Sequence, residues 1–375
     1  MALIRQKQVV VVGAGAFGGW TALQLQRQGA NVTLCEMAAA GHGLSSSGGE
    51  SRVIRHVYPK RIYVDMAARA MKLWEQADRD WGQQLFHRKG VLFMSTGGDF
   101  VDRARGHMSN AGVDFENLNA SQLASRYPQL NPDGLESAIF EPSAGYLDAS
   151  RACAVVRKAF LEAGGQWREG RVEPGVIRNG EMPGVILPGG DVLNADRLVF
   201  ACGPWLKRMF AGLIGNNLAV TRQEVYFFRI PKDQVESLGA GLPVWAEIGK
   251  TCWYGIPGAN GLFKLADDTH GREVDPDTQS REPTAVGVES ARRYMRFRFP
   301  GMSGAQLADA EVCQYTVTPD HDFVLDWHPQ AENVLLVGGG SGHGFKHGPA
   351  LGELAADVIL DRRSAPAEFS LSRWQ

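Results

Sequence analysis

The start of the chain constrains the fold more than any other part of the sequence. A β-branched run, Val9–Val12, leads directly into Gly13-Ala14-Gly15-Ala16-Phe17-Gly18, which has the spacing G-x-G-x-x-G. Such a run is typical of a buried parallel strand, and the glycines after it permit a tight turn whose backbone N–H groups approach a pyrophosphate. The N-terminus of the next helix adds positive dipole at the same point. The sequence therefore predicts a dinucleotide-binding unit.

The segment after this fingerprint narrows the choice of nucleotide. The pattern predicts a helix over 17–28 that stops at Gly29 and a second strand over 31–35 that ends at Glu36. An acidic side chain about 20 residues after the fingerprint binds a ribose 2′-hydroxyl and repels a 2′-phosphate. NADP is therefore disfavoured, which leaves NAD or FAD.

Length, charge and cysteine usage exclude several classes of protein. A chain of 375 residues can bury two modest cores, and a net charge of −2 offers no electrostatic surface for nucleic acid or an anionic membrane. Met1–Gln8 has no apolar core of a signal peptide and no run is long enough to span a bilayer, so we expect a cytoplasmic protein. The five cysteines have no paired spacing, which fits a reducing compartment. His343 and His347 lack the adjacent glutamate of a zinc site, and no metal is predicted.

Later segments predict two interleaved domains in an α/β fold (α+β overall). Helical periodicity occurs over 64–77 and 150–163, strand patterns occur over 90–94, 197–202 and 333–337, and strands with alternating aromatic residues fill 220–263. We predict a Rossmann-like FAD-binding domain from 1–85, 150–216 and 318–375. A substrate domain from 86–149 and 217–317 would be built on a large, mostly antiparallel sheet.

The C-terminal return to an α/β pattern distinguishes the two remaining nucleotides. The strand over 333–337 is followed by the glycine-rich segment 338–344 and by a predicted helix over 346–360. A simple NAD domain is contiguous, whereas a flavin enzyme needs one more glycine-rich turn beside the isoalloxazine, so the pattern favours FAD. A helix N-terminus there would stabilise the negative charge of a reduced ring. A further glycine turn, Gly203-Pro204-Trp205, lets the backbone approach a ligand.

Four further motifs accompany the fingerprint. They are Arg52-Val53-Ile54-Arg55-His56, Asp275-Pro276-Asp277-Thr278, Cys313-Gln314-Tyr315-Thr316-Val317-Thr318-Pro319-Asp320 and Gly342-His343-Gly344-Phe345-Lys346. With these motifs the chain resembles, over nearly its whole length, the monomeric sarcosine oxidase family. N-methyltryptophan oxidase and the Amadori-compound oxidases are relatives within the D-amino-acid-oxidase-like group. The resemblance implies a flavoenzyme that oxidises a secondary amine of an amino acid to an imine and O2 to H2O2, and it is compatible with a monomer.

The resemblance also implies site residues. Cofactor contacts are expected from Gly13, Gly15, Ala16, Phe17, Gly18, Glu36, Ser51, Arg52, Gly203, Trp205, Gly342, Gly344, Phe345 and Lys346, with FAD held by an 8α-thioether to Cys313. The predicted catalytic set is Lys264, Arg52, Tyr315 and His343, and the predicted substrate-binding set is Arg55, Lys346 and Tyr254 together with Asp268, which departs from the family pattern. Tyr315 stands two residues after Cys313 and would share its face of a strand.

A physical argument, separate from the resemblance, also indicates that the positively charged residues of these sets are functional. Arg52 and Arg55 stand three apart, so on a helix turn or an irregular loop both can face one cavity, where they need an anion. The resemblance places Arg52 over the flavin ring and Arg55 with Lys346 on the substrate carboxylate. Lys264 lies inside an apolar strand, which is costly without a specific role. Its family counterpart activates O2. Surface ion pairs, and a lysine reaching solvent from an edge strand, are the alternative interpretations.

The sequence departs from the family at two positions. Gly48 and Gly49 stand where the family commonly has a histidine, and Asp268 replaces a second histidine, with His270 shifted by two. The added carboxylate indicates a substrate with a polar or cationic side group. The sequence thus predicts an oxidase of an N-alkylated amino acid. A dehydrogenase passing electrons to a quinone or carrier, an Amadori-compound oxidase, a non-catalytic flavoprotein and an NAD-dependent dehydrogenase remain as alternatives.

Overall fold

The computed structural model describes residues 6–258 and 261–374. Residues 1–5 and 375, at the ends of the predicted FAD-binding domain, and residues 259 and 260, in the predicted strand-rich segment, lie outside this description. The strands are β1 (Gln8–Val12), β2 (Asn31–Glu36), β3 (Ser51–Ile54), β4 (Phe86–Arg88), β5 (Val91–Ser95), β6 (Glu116–Asn119), β7 (Ser137–Glu141), β8 (Gly145–Asp148), β9 (Gln166–Glu169), β10 (Glu173–Pro174), β11 (Gly184–Ile186), β12 (Val192–Asn194), β13 (Arg197–Phe200), β14 (Ala219–Arg229), β15 (Val244–Ile248), β16 (Cys252–Pro257), β17 (Leu262–Asp267), β18 (Leu307–Val317), β19 (Val324–His328) and β20 (Ala331–Gly338). The helices are α1 (Ala16–Arg27), α2 (Arg61–Trp81), α3 (Phe100–Asn110), α4 (Ala120–Arg126), α5 (Ala149–Glu162), α6 (Leu206–Met209), α7 (Ala211–Ile214), α8 (Ala285–Arg298) and α9 (Gly348–Ile359).

Among the described residues, six strands form the predicted Rossmann-like sheet in the order β19-β20-β13-β1-β2-β9. All neighbours pair in parallel except β19, which runs antiparallel at the edge. The run Val9–Val12 in β1 does not alternate between apolar and polar residues, because both faces of this strand are buried. Val9 and Val11 belong to the core that includes α1 and α9, whereas Val10 and Val12 pack in the core that includes the small β10-β11-β12 sheet.

A second sheet of eight strands, counted over the same ranges, has the order β18-β14-β17-β16-β15-β5-β7-β6. It is antiparallel apart from the β15–β5 pair, which confirms the predicted mostly antiparallel sheet. One face carries an apolar core against α8, with Trp245, Phe263 and Phe299 among its buried side chains. Burying an aromatic side chain of this kind contributes about 2 to 3 kcal/mol.

Strand register decides what the other face of this sheet presents. Phe263 and Leu265 point into the apolar core, so the alternation of side chains along β17 puts Lys264 on the opposite face. Phe227 of β14 pairs with Lys264, and on the same strand Gln223 pairs with Cys313 of β18. Gln223 and Phe227 are four positions apart, so their side chains lie on the same face of β14. Their partners Cys313 and Lys264 therefore share that face. That face is the wall of the site described below.

A third, small sheet is antiparallel and has the strand order β3-β8-β4. The six-stranded sheet draws its strands only from 1–85, 150–216 and 318–375, and the eight-stranded sheet only from 86–149 and 217–317. The small sheet mixes the two sets, because β3 pairs with β8. Within the described ranges no helix combines the length and apolar character needed to cross a bilayer.

Two local predictions meet a different outcome. Arg52 lies on β3 and not on a helix turn or an irregular loop, whereas Arg55 directly follows that strand in irregular chain. The reason is long-range, since β3 extends only because it pairs with β8. The last helix begins at Gly348 rather than at Lys346, which lies in a 3-10 turn over Phe345–His347. By contrast α1 ends just before Gly29, as predicted.

Candidate active site

A cleft with an empty volume of about 1110 Å³, open mouth included, follows the carboxyl ends of the parallel strands. Ligands bind at this edge of open α/β sheets. Of the predicted cofactor residues, those that line the cleft are Gly13, Gly15, Ala16, Phe17, Glu36, Arg52, Gly203, Trp205, Gly342, Gly344 and Phe345. Gly18, Ser51, Cys313 and Lys346 do not line it. The cleft thus collects most of a set drawn from distant parts of the chain.

The glycine turn after β1 forms one end of the cleft. Gly13 has a φ of +101°, and a Cβ there would overlap the carbonyl oxygen of Ala201. Its neighbour Ala14 donates its backbone N–H to Glu36 Oε2 at 2.7 Å. The N–H of Ala16, at the start of α1, donates to Ser47 Oγ at 2.9 Å. The turn therefore leaves room for a ligand and is fixed by side chains from two other segments.

The glycine-rich return after β20 forms the other end. Gly342 has a φ of +81°, and a Cβ there would lie 2.7 Å from the ring of Tyr315. Thr316 lines the same cleft, and its hydroxyl is buried and has no hydrogen-bond partner among the described residues. A buried hydroxyl without a partner is costly, so this atom indicates a polar ligand. These backbone cradles and the unpaired hydroxyl fit FAD.

Four predicted residues lie on the wall formed by the eight-stranded sheet. Cys313 and Tyr315 are on β18, Lys264 is on β17 and Tyr254 is on β16. Cys313 Sγ lies 3.9 Å from Arg52 Nη2, so the thiol is beside a residue that lines the cleft. It is partly exposed, whereas burial raises the pKa of the Cys153 thiol to about 12. Tyr315 shares the face of Cys313, as predicted.

The two arginines are held by uncharged groups. Arg52 donates to the backbone carbonyls of Ser51, at 2.8 Å, and of Ser46, at 3.0 Å. Arg55 donates to the carbonyl of Val57, and its guanidinium lies 4.4 Å from the ring centroid of Tyr58. Neither has a carboxylate ion pair in the part of the chain that the structure describes. The interpretation as surface ion pairs is therefore wrong for both.

Lys264 is only 2% exposed and lies on β17, between β14 and β16. It therefore cannot reach solvent from an edge strand, which was the alternative interpretation. Its Nζ donates to the carbonyl of Ser51 at 2.7 Å and to Ser51 Oγ at 3.3 Å. Burial, aided by the nearby Arg52 charge, lowers the pKa of Lys264 to about 7. Its charge can consequently change near neutral pH.

Lys346 is the centre of a second buried cation site. Its Nζ donates to the Tyr58 hydroxyl at 2.8 Å and to the His343 carbonyl at 2.9 Å. His347 Nε2 contacts the same hydroxyl at 3.1 Å. Burial, together with the charge of Arg55, lowers the pKa of Lys346 well below its usual range. Tyr58 thus contacts the side chains of Lys346, His347 and Arg55, and nothing in the sequence indicated it.

Asp268, directly after β17, lies on the cavity side of the same wall. Tyr315 donates its hydroxyl to Asp268 Oδ1 at 2.8 Å. Burial raises the pKa of the Asp268 carboxyl to about 6, although Tyr315, Arg55 and Lys346 oppose the shift. His343 lies farther along, where its Nε2 contacts the His321 carbonyl at 2.9 Å. The structure therefore brings Asp268 to Tyr315, but it turns one edge of the His343 ring toward a loop carbonyl.

Sequence reasoning missed several residues of the site. Asp277 accepts a hydrogen bond from Trp205 Nε1 at 2.8 Å and forms ion pairs with Arg171 and Arg208, both at 2.6 Å. All three of these partners line the cleft. The motif Asp275–Thr278 already singled out Asp277 in the sequence, but no role was predicted for this residue. The run Ser45-Ser46-Ser47-Gly48-Gly49 could have indicated Ser47, because small residues of this kind often approach a ligand.

Comparison with known proteins agrees with this geometry. Residues 8–358 match the family described as FAD dependent oxidoreductase. The chain is 32% identical to a monomeric sarcosine oxidase of Bacillus sp. (strain NS-129), over 97% of this chain and 96% of that protein. It is 29% identical to an N-methyl-L-tryptophan oxidase of Yersinia pestis (strain Pestoides F), over 98% and 99% respectively.

Two solved structures share the fold. The L-proline dehydrogenase of P. horikoshii has a TM-score of 0.84 at 21% identity, over 99% of this chain and 98% of that chain. Amadoriase I of Aspergillus fumigatus has a TM-score of 0.82 at 20% identity, over 99% and 90%. The family match spans nearly the whole chain, and its fingerprint, glycine-rich return and cleft are all in place in the structure. The chain belongs to the FAD-dependent oxidoreductase family.

Proposed function

We propose that the protein is an FAD-dependent oxidase of a secondary, N-alkylated amino acid. The substrate would become an imine that water hydrolyses to an amine and an aldehyde, while O2 is reduced to H2O2. One observation carries the proposal. Arg52 lines the cleft, Lys264 contacts the neighbouring Ser51, and Arg55 and Lys346 both contact Tyr58; none of these four cations has a carboxylate ion pair among the described residues. Glu311 acts on Arg52 and Lys264 only from a longer range.

Residues at both ends of the cleft would contact FAD. The turn at Gly13, the start of α1 and Glu36 would hold the adenosine and pyrophosphate part, and the return over 338–344 would hold the ring. Bound there, FAD supplies an acceptor of two electrons. Cys313 would carry it through a thioether. The support for this bond is a partly exposed thiol 3.9 Å from Arg52 Nη2 on the wall of the site.

Arg55 and Lys346 would hold the substrate carboxylate. Both cations are surrounded by neutral hydrogen-bonding groups and aromatic rings, of which Tyr58 contacts both. A buried cation is stabilised strongly by an anion that reaches it, and the planar guanidinium suits two carboxylate oxygens. Tyr254, Tyr315 and Asp268 would complete the cavity. Holding the carboxylate fixes the rest of the substrate, which is how positioning accelerates a reaction.

Lys264 and Arg52 would assist the reduction of O2. A fixed positive charge stabilises the negative charge that develops on oxygen, and the effect is large where water is excluded. Lys264 is held for this role by two contacts to Ser51. This arrangement favours an oxidase over a dehydrogenase of the same amines. The likeness to a structure titled L-proline dehydrogenase supports that second candidate only through the fold.

A peroxide-coupled screen of N-methyl, cyclic and glycated amino acids tests the proposal. We expect a yellow protein that releases peroxide with at least one N-alkyl amino acid. The Lys264→Met variant should lose about 10²- to 10³-fold in its rate with O2, a typical loss for one electrostatic contact, while the anaerobic bleaching by the amine changes little.

The matched control is Lys89→Met. Lys89 is a part-buried lysine that donates to the carbonyls of Gly239 and Pro257, at 2.7 and 2.8 Å, away from the cleft. It should keep the parent rate. Unchanged O2 turnover in Lys264→Met contradicts the oxidase mechanism, and turnover only with an artificial acceptor favours the dehydrogenase.

A further inference from the structure

Asp268 has one carboxylate oxygen fixed and the other available. Oδ1 accepts the hydroxyl of Tyr315 at 2.8 Å, and Oδ2 accepts no hydrogen bond from any residue of the described ranges. The side chain is half-buried. A carboxylate can accept several hydrogen bonds, so Oδ2 is free to receive one from a bound molecule. The fixed Oδ1 holds its direction.

The charges around Asp268 come from several elements. The groups that act on it or are acted on by it are Arg55, Lys346, Tyr315, Asp267, Tyr254, Tyr58 and Cys252. Two of them, Arg55 and Lys346, are the cations proposed to hold the substrate carboxylate, and neither forms a direct ion pair with Asp268. Two cations that share Tyr58 and act on one carboxylate, which is itself held by the cleft residue Tyr315, are the complement of a zwitterion. An amino acid is such a ligand, because its ammonium nitrogen is bonded to the carbon that bears its carboxylate.

We propose that Asp268 is the proton acceptor for the amine of the substrate. The N–H bond of the bound ammonium breaks, the proton moves to Oδ2, and the electron pair stays on nitrogen, so that a neutral amine and a neutral carboxyl group result. The inference rests on the proposed function and assigns it a base. A protonated secondary amine has no free electron pair, so this transfer must precede its oxidation.

The position of Asp268 suits this role better than recognition of a distant side group. An α-amine must lie close to wherever the carboxylate is bound, and Asp268 is under the influence of both carboxylate-binding cations. A base works best when its own pKa lies near the working pH. Burial raises the pKa of Asp268 to about 6, which brings this carboxyl toward that range.

Asp268→Asn tests the transfer directly. The probe is N-methyl-L-alanine, whose side chain is apolar, and the readout is the anaerobic bleaching of the holoenzyme across pH 5 to 10. For the parent we expect the rate to fall below about pH 6, where Asp268 is already protonated. For Asp268→Asn we expect a loss of about 10²-fold or more at pH 7, the usual contribution of a general base. The residual rate should then rise about tenfold per pH unit toward the pKa of the amine itself, because the neutral fraction of the amine rises in that proportion.

The matched control is Asp267→Asn. Asp267 is the preceding residue, on the last position of β17, and accepts the backbone N–H of Thr269 at 2.9 Å. Because the Asp267 charge raises the pKa of Asp268, its loss should move the acid limb to lower pH, without the loss of rate at pH 7 that is expected for Asp268→Asn. Tyr315→Phe provides a second variant that leaves the carboxylate in place. Because the hydrogen bond from Tyr315 lowers the pKa of Asp268, its loss should move the acid limb to higher pH.

A binding measurement separates this inference from the proposed function. Glycine betaine is a zwitterion without an N–H, and acetate is a simple anion. Calorimetry with the parent should show a preference for betaine over acetate that is larger at pH 8 than at pH 5. Asp268→Asn should reduce this preference at pH 8 at least tenfold.

The outcomes differ for the two ideas. If no amine of the screen bleaches the parent, the proposed function is wrong. The preference for betaine over acetate then still shows whether Asp268 lies beside the bound amine group. If Asp268→Asn keeps both the betaine preference and the parent pH profile, Asp268 is not the acceptor. A loss confined to substrates with a cationic side group, and absent with N-methyl-L-alanine, also overturns the inference.

Discussion

Replacing Lys264 by methionine should make the stability of the protein less dependent on pH. Lys264 is 2% exposed and lies in the middle of the eight-stranded sheet, and its ammonium group donates to Ser51 alone among the described residues. Burial lowers its pKa to about 7, while an unfolded chain leaves it at the ordinary value of 10.5. The folded state therefore binds fewer protons than the unfolded state between these two values.

The sign and the slope follow from this difference. Where the unfolded state binds more protons, stability rises with pH, by about 1.4 kcal/mol per pH unit for one group. The parent should thus gain free energy of unfolding from about pH 7 toward pH 10.5, and below pH 7 the cost of the buried charge is fully present. Lys264→Met lacks this group. Its advantage over the parent should be largest at and below pH 7 and should shrink as the pH rises.

Urea unfolding of the holoenzymes at pH 6, 7, 8 and 9 measures this slope. Lys158→Met is a useful control, because it removes a lysine that is 76% exposed at its side chain and so corrects for the loss of one residue of this type. A constant difference between the parent and Lys264→Met across these four conditions would refute the reasoning. It would mean that the lysine keeps its ordinary pKa in the folded protein.

Three further substitutions test the cleft. Cys313→Ser should release the yellow colour into the supernatant on acid precipitation, whereas Cys252→Ser should keep it on the polypeptide; colour retained in Cys313→Ser contradicts the thioether. Gly13→Ala should abolish FAD binding, because its Cβ has no room, while Gly29→Ala, at a φ of +91° with nothing within 4 Å, should cost only about 1 kcal/mol and stay yellow. Arg55→Met should raise KM at least tenfold with a smaller change in kcat, as steady-state kinetics on the best substrate of the screen would show, since it removes uniform binding of the carboxylate.

Local signals were sufficient to predict the nucleotide half of the molecule. The run Val9–Val12, the fingerprint after it and Glu36 all lie within one βαβ unit, so their spacing carries their geometry. Even in this half, one hydrogen-bond partner of the glycine turn is set by the tertiary fold and not by the local sequence. Ser47, which fixes Ala16, belongs to a loop that no periodicity describes.

The substrate half depends on register between distant strands. Alternation shows that Lys264 opposes Phe263, but only the pairing of β14 with both β17 and β18 puts Lys264 on the face of Cys313. Pairing also explains the error over Arg52, since an isolated short segment gives no reason to extend until β8 lies beside it. Tyr58 could not be predicted, because its hydrogen-bond partners Lys346 and His347 stand nearly 290 positions later in the chain.

The bond between Lys264 and Ser51 spans 213 positions and joins a strand of the eight-stranded sheet to a strand of the small one. Neither sheet alone can make it. A nascent or damaged molecule in which only one of them has formed leaves that ammonium group in water, with its ordinary acidity and no neighbour to direct it. The lowered pKa of Lys264 is thus a property of the finished tertiary structure. Its appearance during refolding would mark the time at which the two sheets dock.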